Sequence, residues 1–528
     1  MCKDGITKCK VWFTSLAALA LVGAIGPTDA TAQPAPLGGL DDYITVAMEA
    51  WEVPGLAIAV VHDGRTVYER GYGVRDVATG EPVDEHTLFA VGSTSKAFTS
   101  AALGMLVDEG RLGWDDRVID HIPWFEMYDA YATRELTVRD LLTHRSGLAR
   151  GDAVWYHWPH DRAEIIRRVR YLEPTRSFRG AWQYQNLMFL TAGEVVRAVS
   201  GSSWDDFVAD RIFAPLGMDR SVTSTNALPH MDNVASPHVP VDGTPTPVAH
   251  KNIDNVGPAG SIYSSVSQMA RWVALHLAEG VHEGRRLVSD SVMSEMHHPQ
   301  MLIQADAPEN GLHSRDAVMN FNAYGLAWWV LDYRGRKVVD HGGGIDGMRA
   351  HVAFMPEEGV GMVALSNARP NNLIVALMYR VFDHFLDEGD AGDGAMRDWS
   401  ALMLAEVKEG QARAARGRSE LEGNRAAGTS PSRPLAEYAG AYEEEYHGVV
   451  DIVHEGGTLR LSLGGKTTGR LDHWHYDVFR LVPDNPANPE MFVTFSIGAD
   501  GAVGVLEVAG LAPDLRAQSA LGQFARRR

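Results

Sequence analysis

Two β-rich blocks stand at either end of a long helical stretch, and this arrangement limits the fold more than any other feature of the chain. Residues 53–61 are apolar, and His62-Asp63-Gly64-Arg65 and then Thr66-Val67-Tyr68 follow them. That pattern predicts a β-hairpin closed by an Asp-Gly turn, and Gly71-Tyr72-Gly73-Val74 continues it. Strand patterns then return only at 324–333, 338–340, 348–355 and 360–367. Between them lie helical periodicities at 97–107, 137–142, 163–171, 187–200, 204–212 and 261–279, and one more follows at 372–386. A sheet assembled from both ends of a region, with helices inserted between, implies an α/β layered domain plus a helical subdomain.

The rest of the chain divides by composition. Residues 389–434 are rich in Gly, Ala, Arg and Glu and read as a linker with a helix near 396–415. From 437 onward the pattern is all-β. Hairpins are expected around Glu455-Gly456-Gly457 and Ala499-Asp500-Gly501, so that 435–515 forms a small antiparallel barrel or sandwich. This tail is expected to pack on the preceding domain, residues 38–388, and to limit substrate size. Residues 1–32 carry Lys3, Lys8 and Lys10, an apolar run at 11–26, and Ala30-Thr31-Ala32. These are the parts of a cleaved secretory signal, so the protein is expected to be exported, periplasmic or secreted, with no membrane span after cleavage. Both cysteines, Cys2 and Cys9, fall inside that signal, which leaves no disulfide, thiol nucleophile or Cys-ligated metal for the rest. A net charge of −20 argues against nucleic acid and anionic membranes as partners.

Chemistry concentrates at Ser93-Thr94-Ser95-Lys96, the only Ser-x-x-Lys in the chain, at the head of an apolar helical run. Residues three apart share a helix face. The serine would stand among backbone N–H groups that lack intrahelical partners. A lysine one turn on, packed among apolar side chains, loses solvation, and its neutral form becomes easier to reach. A neutral amine beside a hydroxyl can take its proton. An N-capping serine and a surface lysine would show the same spacing. Against that, the chain uses 40 arginines and only 8 lysines, so a lysine kept on an apolar helix points to proton exchange.

Two further motifs fit such a pair. Tyr184-Gln185-Asn186 is the only Tyr-x-Asn and precedes an apolar helix. Tyr184 could relay a proton to a leaving group, and Asn186 could hold the lysine and a substrate carbonyl. His341-Gly342-Gly343-Gly344 follows a short strand, and its glycines clear side chains from a strand edge where a substrate backbone could lie. The N–H of Gly344, with that of Ser93, could form an oxyanion hole. Other chemistries fit poorly. There is no Gly-x-Ser-x-Gly, no His-Glu-x-x-His, and Gly465-Lys466-Thr467 lacks the upstream glycine of a phosphate loop. His473-Trp474-His475 offers two imidazoles without a third ligand, so no metal or other cofactor is expected.

The order Ser93-x-x-Lys96, Tyr184-x-Asn186, His341-Gly342-Gly343 resembles the penicillin-recognising serine hydrolases: class C-type β-lactamases, low-molecular-weight DD-peptidases, related esterases and D-aminopeptidases. Residues 136–148 (LTVRDLLTHRSGL) and Pro258-Ala259-Gly260-Ser261 look like the same family. The resemblance covers about residues 38–388. It implies an antiparallel sheet flanked by helices, Ser93 as acylated nucleophile, Lys96 and Tyr184 as the proton-handling pair, and Asn186 as hydrogen-bonding support. The tail resembles the lipocalin-like β-domain that some members carry. The β-lactamases usually have Lys-Thr-Gly where this chain has His341-Gly342-Gly343, and His-x-Gly is the form similar peptidases and esterases use. The expectation is an exported serine hydrolase acting on a peptide substrate, linear and D-residue-containing or nonribosomal. Carboxylesterase is the alternative, and a β-lactamase or a non-catalytic penicillin-binding module is less favoured.

Overall fold

The computed structural model describes residues 37–304, 313, 317, 319–369, 371–387, 397–510 and 521–527. The expected signal, residues 1–32, lies outside these, as do 389–396 of the linker and 511–515 of the tail. Eight strands form the first sheet: β1 (Gly55–His62), β2 (Arg65–Gly73), β3 (Met301–Leu302), β4 (Asn322–Tyr324), β5 (Trp329–Tyr333), β6 (Arg336–Ile345), β7 (Met348–Met355) and β8 (Val360–Ser366). Their order is β2-β1-β8-β7-β6-β5-β4-β3, antiparallel throughout. The two ends of the region thus meet in one sheet, with Leu56 opposite Ser366 and His62 opposite Val360. Asp63 and Gly64 both take positive φ, 49° and 72°, as a two-residue hairpin turn of this hand requires.

Six helices concern the argument: α1 (Leu40–Trp51), α2 (Ser95–Asp108), α3 (Asn186–Ser200), α4 (Val266–Leu277), α5 (Leu373–Asp387) and α6 (Trp399–Gly423). Strand β1 is buried on both faces, which is why it reads as an unbroken apolar run. Ala57, Ala59 and Val61 join the core shared with Phe98 of α2 and Trp272 of α4. Leu56, Ile58 and Val60, on the opposite face, join the core shared with α1, α5 and the start of α6. Helix α1 has no counterpart among the sequence expectations, because Ile44-Thr45-Val46 is a β-branched run with low helix propensity. Packing decides it: Leu40, Ile44, Ala47, Met48 and Trp51 all bury on one side. The expected helix at 261–279 starts later, at Val266, since Tyr263–Ser264 pairs with Phe89–Ala90 as a short ladder. The linker helix runs on to Gly423, because its Ala, Arg and Glu residues outweigh its interior Gly410 and Gly417.

Strands β9 (Gly440–Glu444), β10 (Gly448–Glu455), β11 (Thr458–Leu463), β12 (Thr467–His475), β13 (Val478–Pro483), β14 (Met491–Ile497), β15 (Val503–Gly510) and β16 (Gly522–Arg526) close into a barrel. Alternate residues such as Leu459, Leu461 and Leu463 enter one buried cluster with Phe479, Phe495 and Phe524. Trp158 of the helical subdomain belongs to that cluster too, 2% exposed and stacked on Phe524. Its Nε1 donates to Val449 O at 2.9 Å. His157 Nδ1 lies 2.8 Å from Thr467 Oγ1, and burial pushes His157 down to about 3, so the imidazole stays neutral. In return, Tyr446 of the barrel donates from its hydroxyl to Gly151 O at 2.6 Å. The tail therefore packs on the first domain through residues 151–160. Trp158→Phe keeps a ring there but orphans the Val449 carbonyl, so it is expected to cost about 1–3 kcal/mol. Denaturant unfolding followed by Trp fluorescence and by far-UV dichroism checks this; an unchanged midpoint would mean the docking is superficial.

Candidate active site

The Ser93 turn is built by a glycine. Gly92 takes φ +53° and opens a 3-10 turn, Gly92–Thr94, that leads into α2. From Thr87 to Leu106 every residue is buried except Ser93, which is half-buried. A single hydroxyl thus breaks the surface of an otherwise closed segment. Lys96, one turn on, is fully buried, with Nζ 3.0 Å from Ser93 Oγ. The Nζ also donates to Ala259 O at 2.7 Å. Burial drives the Lys96 ammonium well below the usual lysine range; Arg150 adds to this and Asp152 opposes it. The amine can therefore sit neutral beside the serine.

Tyr184 reaches this pair from the N-terminus of α3. Gln185 caps the helix, its side chain accepting from Leu187 N at 2.8 Å, and its backbone is extended. An extended residue points its two neighbours to the same side, so Tyr184 and Asn186 face one way. Lys96 Nζ lies 4.9 Å from the centroid of the Tyr184 ring, and the Arg150 guanidinium lies 4.7 Å from it. Arg150 Nε donates to Asp152 Oδ2 at 2.8 Å. Asn186 Nδ2 donates to Asp152 Oδ1, also at 2.8 Å. Asn186 is thus turned to Asp152 and not to Lys96, and its buried Oδ1 has no protein partner. That amide oxygen can accept from an N–H in the cleft.

The glycines at 342–344 do not end the strand; β6 carries them on to Ile345. Beyond the Trp329–Asp340 pair β5 stops, and β6 runs on with its Gly343 face against the Ser93 turn. A Cβ on Gly343 would lie 1.9 Å from Val91 O and 3.1 Å from Ser93 N. One on Gly92 would lie 2.6 Å from Gly344 N. The backbone nitrogens of Ser93 and Gly344 therefore lie close together, a requirement of an oxyanion hole. The His341 side chain does not join them. It is fully buried, with Nε2 2.9 Å from the Tyr324 hydroxyl and Nδ1 2.7 Å from Gly342 O. Burial pushes it down to about 3. A neutral ring that donates from Nδ1 to the carbonyl accepts from Tyr324 at Nε2, so it braces the strand and offers no contact to a ligand.

Ser93, Asn186 and Gly344 line one cleft of about 220 Å3, together with Tyr156 and Asp346. Tyr156 donates to Asp346 Oδ2 at 2.5 Å. The sequence reading singled out neither of these, nor Arg150 and Asp152, and local pattern held no signal for them. The Ala259 carbonyl belongs to the Pro258-Ala259-Gly260-Ser261 stretch, whose resemblance could have flagged it. His473 and His475 are occupied elsewhere: a ring N–H of His473 donates to Tyr476 O, and His475 Nδ1 accepts from Ala426 N. No cluster among the described residues has the donors to hold a metal ion, and no described helix is long and apolar enough to cross a membrane.

Known proteins share both parts of the chain. The family described as Beta-lactamase matches residues 40–381, and a Domain of unknown function (DUF3471) matches residues 424–523. An unguisins hydrolase of Aspergillus campestris is 28% identical over 390 residues, covering 70% of this chain and 69% of that protein. Penicillin-binding protein 4 of Amycolatopsis lactamdurans is 29% identical over 328 residues, covering 60% and 81%. Among solved structures, the octameric penicillin-binding protein homologue from Pyrococcus abyssi superposes with a TM-score of 0.60 at 20% identity, covering 93% of this chain and 99% of that one. A class C beta lactamase from Rhodobacter sphaeroides gives 0.52 at 22%, covering 66% and 99%.

Proposed function

Since this chain belongs to the beta-lactamase family of serine hydrolases, we propose that it is an exported peptidase working through an acyl-enzyme on Ser93. The observation that carries the reading is the buried Lys96 amine 3.0 Å from the Ser93 hydroxyl. Ser93 Oγ attacks the substrate carbonyl and gives its proton to Lys96 Nζ. The carbonyl oxygen, now negative, takes hydrogen bonds from the N–H groups of Ser93 and Gly344. Tyr184 passes the proton on to the leaving amine as the bond to it breaks. Water then attacks the acyl-Ser93 ester by the reverse route, releasing the acid and restoring the serine. An extended peptide suits this cleft, because β6 runs past the end of β5 to Ile345 and its edge there is paired by no described strand. The absence of Lys-Thr-Gly at 341–343 tells against efficient β-lactam turnover. The basic, apolar and small-residue parts of 1–32 support export.

A panel of p-nitrophenyl esters, nitrocefin, L- and D-aminoacyl anilides and short D-containing peptides, compared as kcat/KM, tests the reading. Cleavage of peptides or anilides above the Ser93→Ala background is expected. Good ester turnover with no amide cleaved would replace the peptidase with a carboxylesterase.

The pH profile carries its own expectation. Lys96 must lose its proton to act, so kcat/KM rises with pH through the Lys96 titration, on a limb well below that of a free lysine. Arg150→Met removes a charge that lowers Lys96, so the limb moves to higher pH. Asp152→Asn removes one that raises it, so the limb moves to lower pH. Shifts of the same sign in both variants would contradict Lys96 as the titrating group.

A further inference from the structure

His144, in the stretch 136–148, packs its ring against that of Tyr184, with centroids 4.2 Å apart and planes tilted by 35°. The residue is fully buried. Its other aromatic neighbours are Tyr324 at 4.6 Å, Phe189 at 5.2 Å and Trp182 at 5.6 Å. The short helix Val138–Leu142 ends at Thr143, and His144 follows with φ +55°. Glycine or asparagine usually stands at that point of a helix end, and a ring held there stores backbone strain.

This turn aims both acceptors of His144 at one segment. The His144 carbonyl accepts from Gln183 N at 2.7 Å, and Nδ1 accepts from Gln185 N at 3.0 Å. Those two residues flank Tyr184. A backbone N–H can only donate, so the ring presents a lone pair at Nδ1 and carries its proton at Nε2. Burial first, and then Lys96, His341 and Arg150, hold His144 well below the usual histidine range, so the ring is neutral, as this bond requires. Nε2 is buried and has no hydrogen-bond partner among the described residues. A phenylalanine would fill the same space without an orphaned ring N–H, so packing alone does not account for a histidine here. What phenylalanine cannot do is satisfy the buried Gln185 N–H.

We propose that His144 is the positioning residue for Tyr184: it takes the N–H groups on both sides of Tyr184 and so holds the phenol where it passes a proton to the leaving group. His144 does not line the cleft and moves no proton itself. The Tyr184 backbone lies ahead of α3, where no helical hydrogen bond fixes it, and His144 supplies that anchor from another segment. The inference rests on the acyl-enzyme reading, in which Tyr184 serves the leaving group. It holds equally for a peptide and for an ester.

Three variants of the full chain test it. His144→Phe keeps a ring but orphans the Gln185 N–H. His144→Asn gives up the ring, yet its amide oxygen stands one bond from Cγ, as Nδ1 does, and asparagine enters the left-handed region readily. His144→Ala drops ring and acceptor together, and it stands in for phenylalanine if that variant does not fold. The substrates are p-nitrophenyl butyrate and ethyl butyrate. Both give the same butyryl-enzyme, so a difference between them arises in acylation, which kcat/KM reports. Ethoxide needs a proton as it departs and p-nitrophenolate does not. In His144→Phe and His144→Ala, kcat/KM on the ethyl ester is expected to fall at least about tenfold, and on the p-nitrophenyl ester by less than about threefold. His144→Asn should stay within about threefold of wild type on both, even though the space left by the ring lowers its melting temperature. Hydrogen exchange in the peptide spanning Gln183 to Asn186, measured without substrate, should quicken in Phe and Ala and not in Asn. An Asn variant as slow as Ala, equal losses on the two esters, or unchanged exchange in Phe and Ala would overturn the positioning role. If the wild type cleaves neither ester, the exchange contrast decides alone. Turnover that persists in Ser93→Ala would remove the acyl-enzyme reading and leave the exchange contrast standing; Ser93-dependent turnover without the contrast would remove His144 alone.

Discussion

Ser93→Ala is expected to lower kcat by at least ~10^4-fold on every substrate the wild type cleaves, and Lys96→Met by nearly as much. The reasoning is geometric. Without Oγ no acyl bond can form, and water placed there would lack the fixed position of a covalently tethered nucleophile. Methionine at 96 keeps length and apolar packing in a fully buried slot but cannot take a proton. Because the two residues act on one proton, the double variant should be no slower than Ser93→Ala alone. Intact-mass spectrometry with a phosphonate should add the inhibitor to wild type, on Ser93, and not to Ser93→Ala. Labelling or turnover that persists in Ser93→Ala would remove the whole mechanism. Full activity in Lys96→Met would remove only the assignment of the base, leaving Tyr184 as the remaining proton acceptor.

Gly343→Ala is the second large effect, and it comes from a methyl group that touches no substrate. Its Cβ would meet Val91 O at 1.9 Å, a backbone atom of the segment that carries Ser93. Neither partner can yield by turning a side chain. Either β6 moves off the Ser93 turn or the turn moves off α2, and in both cases the N–H groups of Ser93 and Gly344 separate. Losing one oxyanion donor costs about 10^2–10^3 in kcat, and a drop in melting temperature should accompany it. Gly342→Ala is the control. The nearest atom to its Cβ is His351 Nδ1 at 3.4 Å, an ordinary contact, so its effect should stay within about threefold. Steady-state kinetics on a p-nitrophenyl ester, alongside thermal unfolding, separates the two variants. Wild-type kcat in Gly343→Ala would show that the junction of β6 and the Ser93 turn does not set the rate.

The features legible in the sequence are those set within a few residues. Ser93 and Lys96 lie one helical turn apart, so their pairing follows from the helix alone, and the Asp63-Gly64 turn declares itself by residue type. The fully apolar β1 announces burial on both faces, and the strand blocks at either end announce a shared sheet. What the tertiary structure decided lies between segments. Local pattern stops the strand at Asp340, because glycine disfavours strands; β6 nonetheless runs to Ile345, and only glycine at 343 lets its face press on the Ser93 turn. The pleat turns the His341 ring towards Tyr324, and no one-dimensional pattern says which face of a strand looks into a cleft. Asn186 pairs with Asp152, and His157 meets Thr467 only because Trp158 plugs a barrel formed some 300 residues later. A local motif fixes the nucleophile and its base, because a helix turn is a short-range object. The cleft's walls and charge come from distant residues, because those are placed by the burial of apolar surface between domains, which depends on the packed chain as a whole.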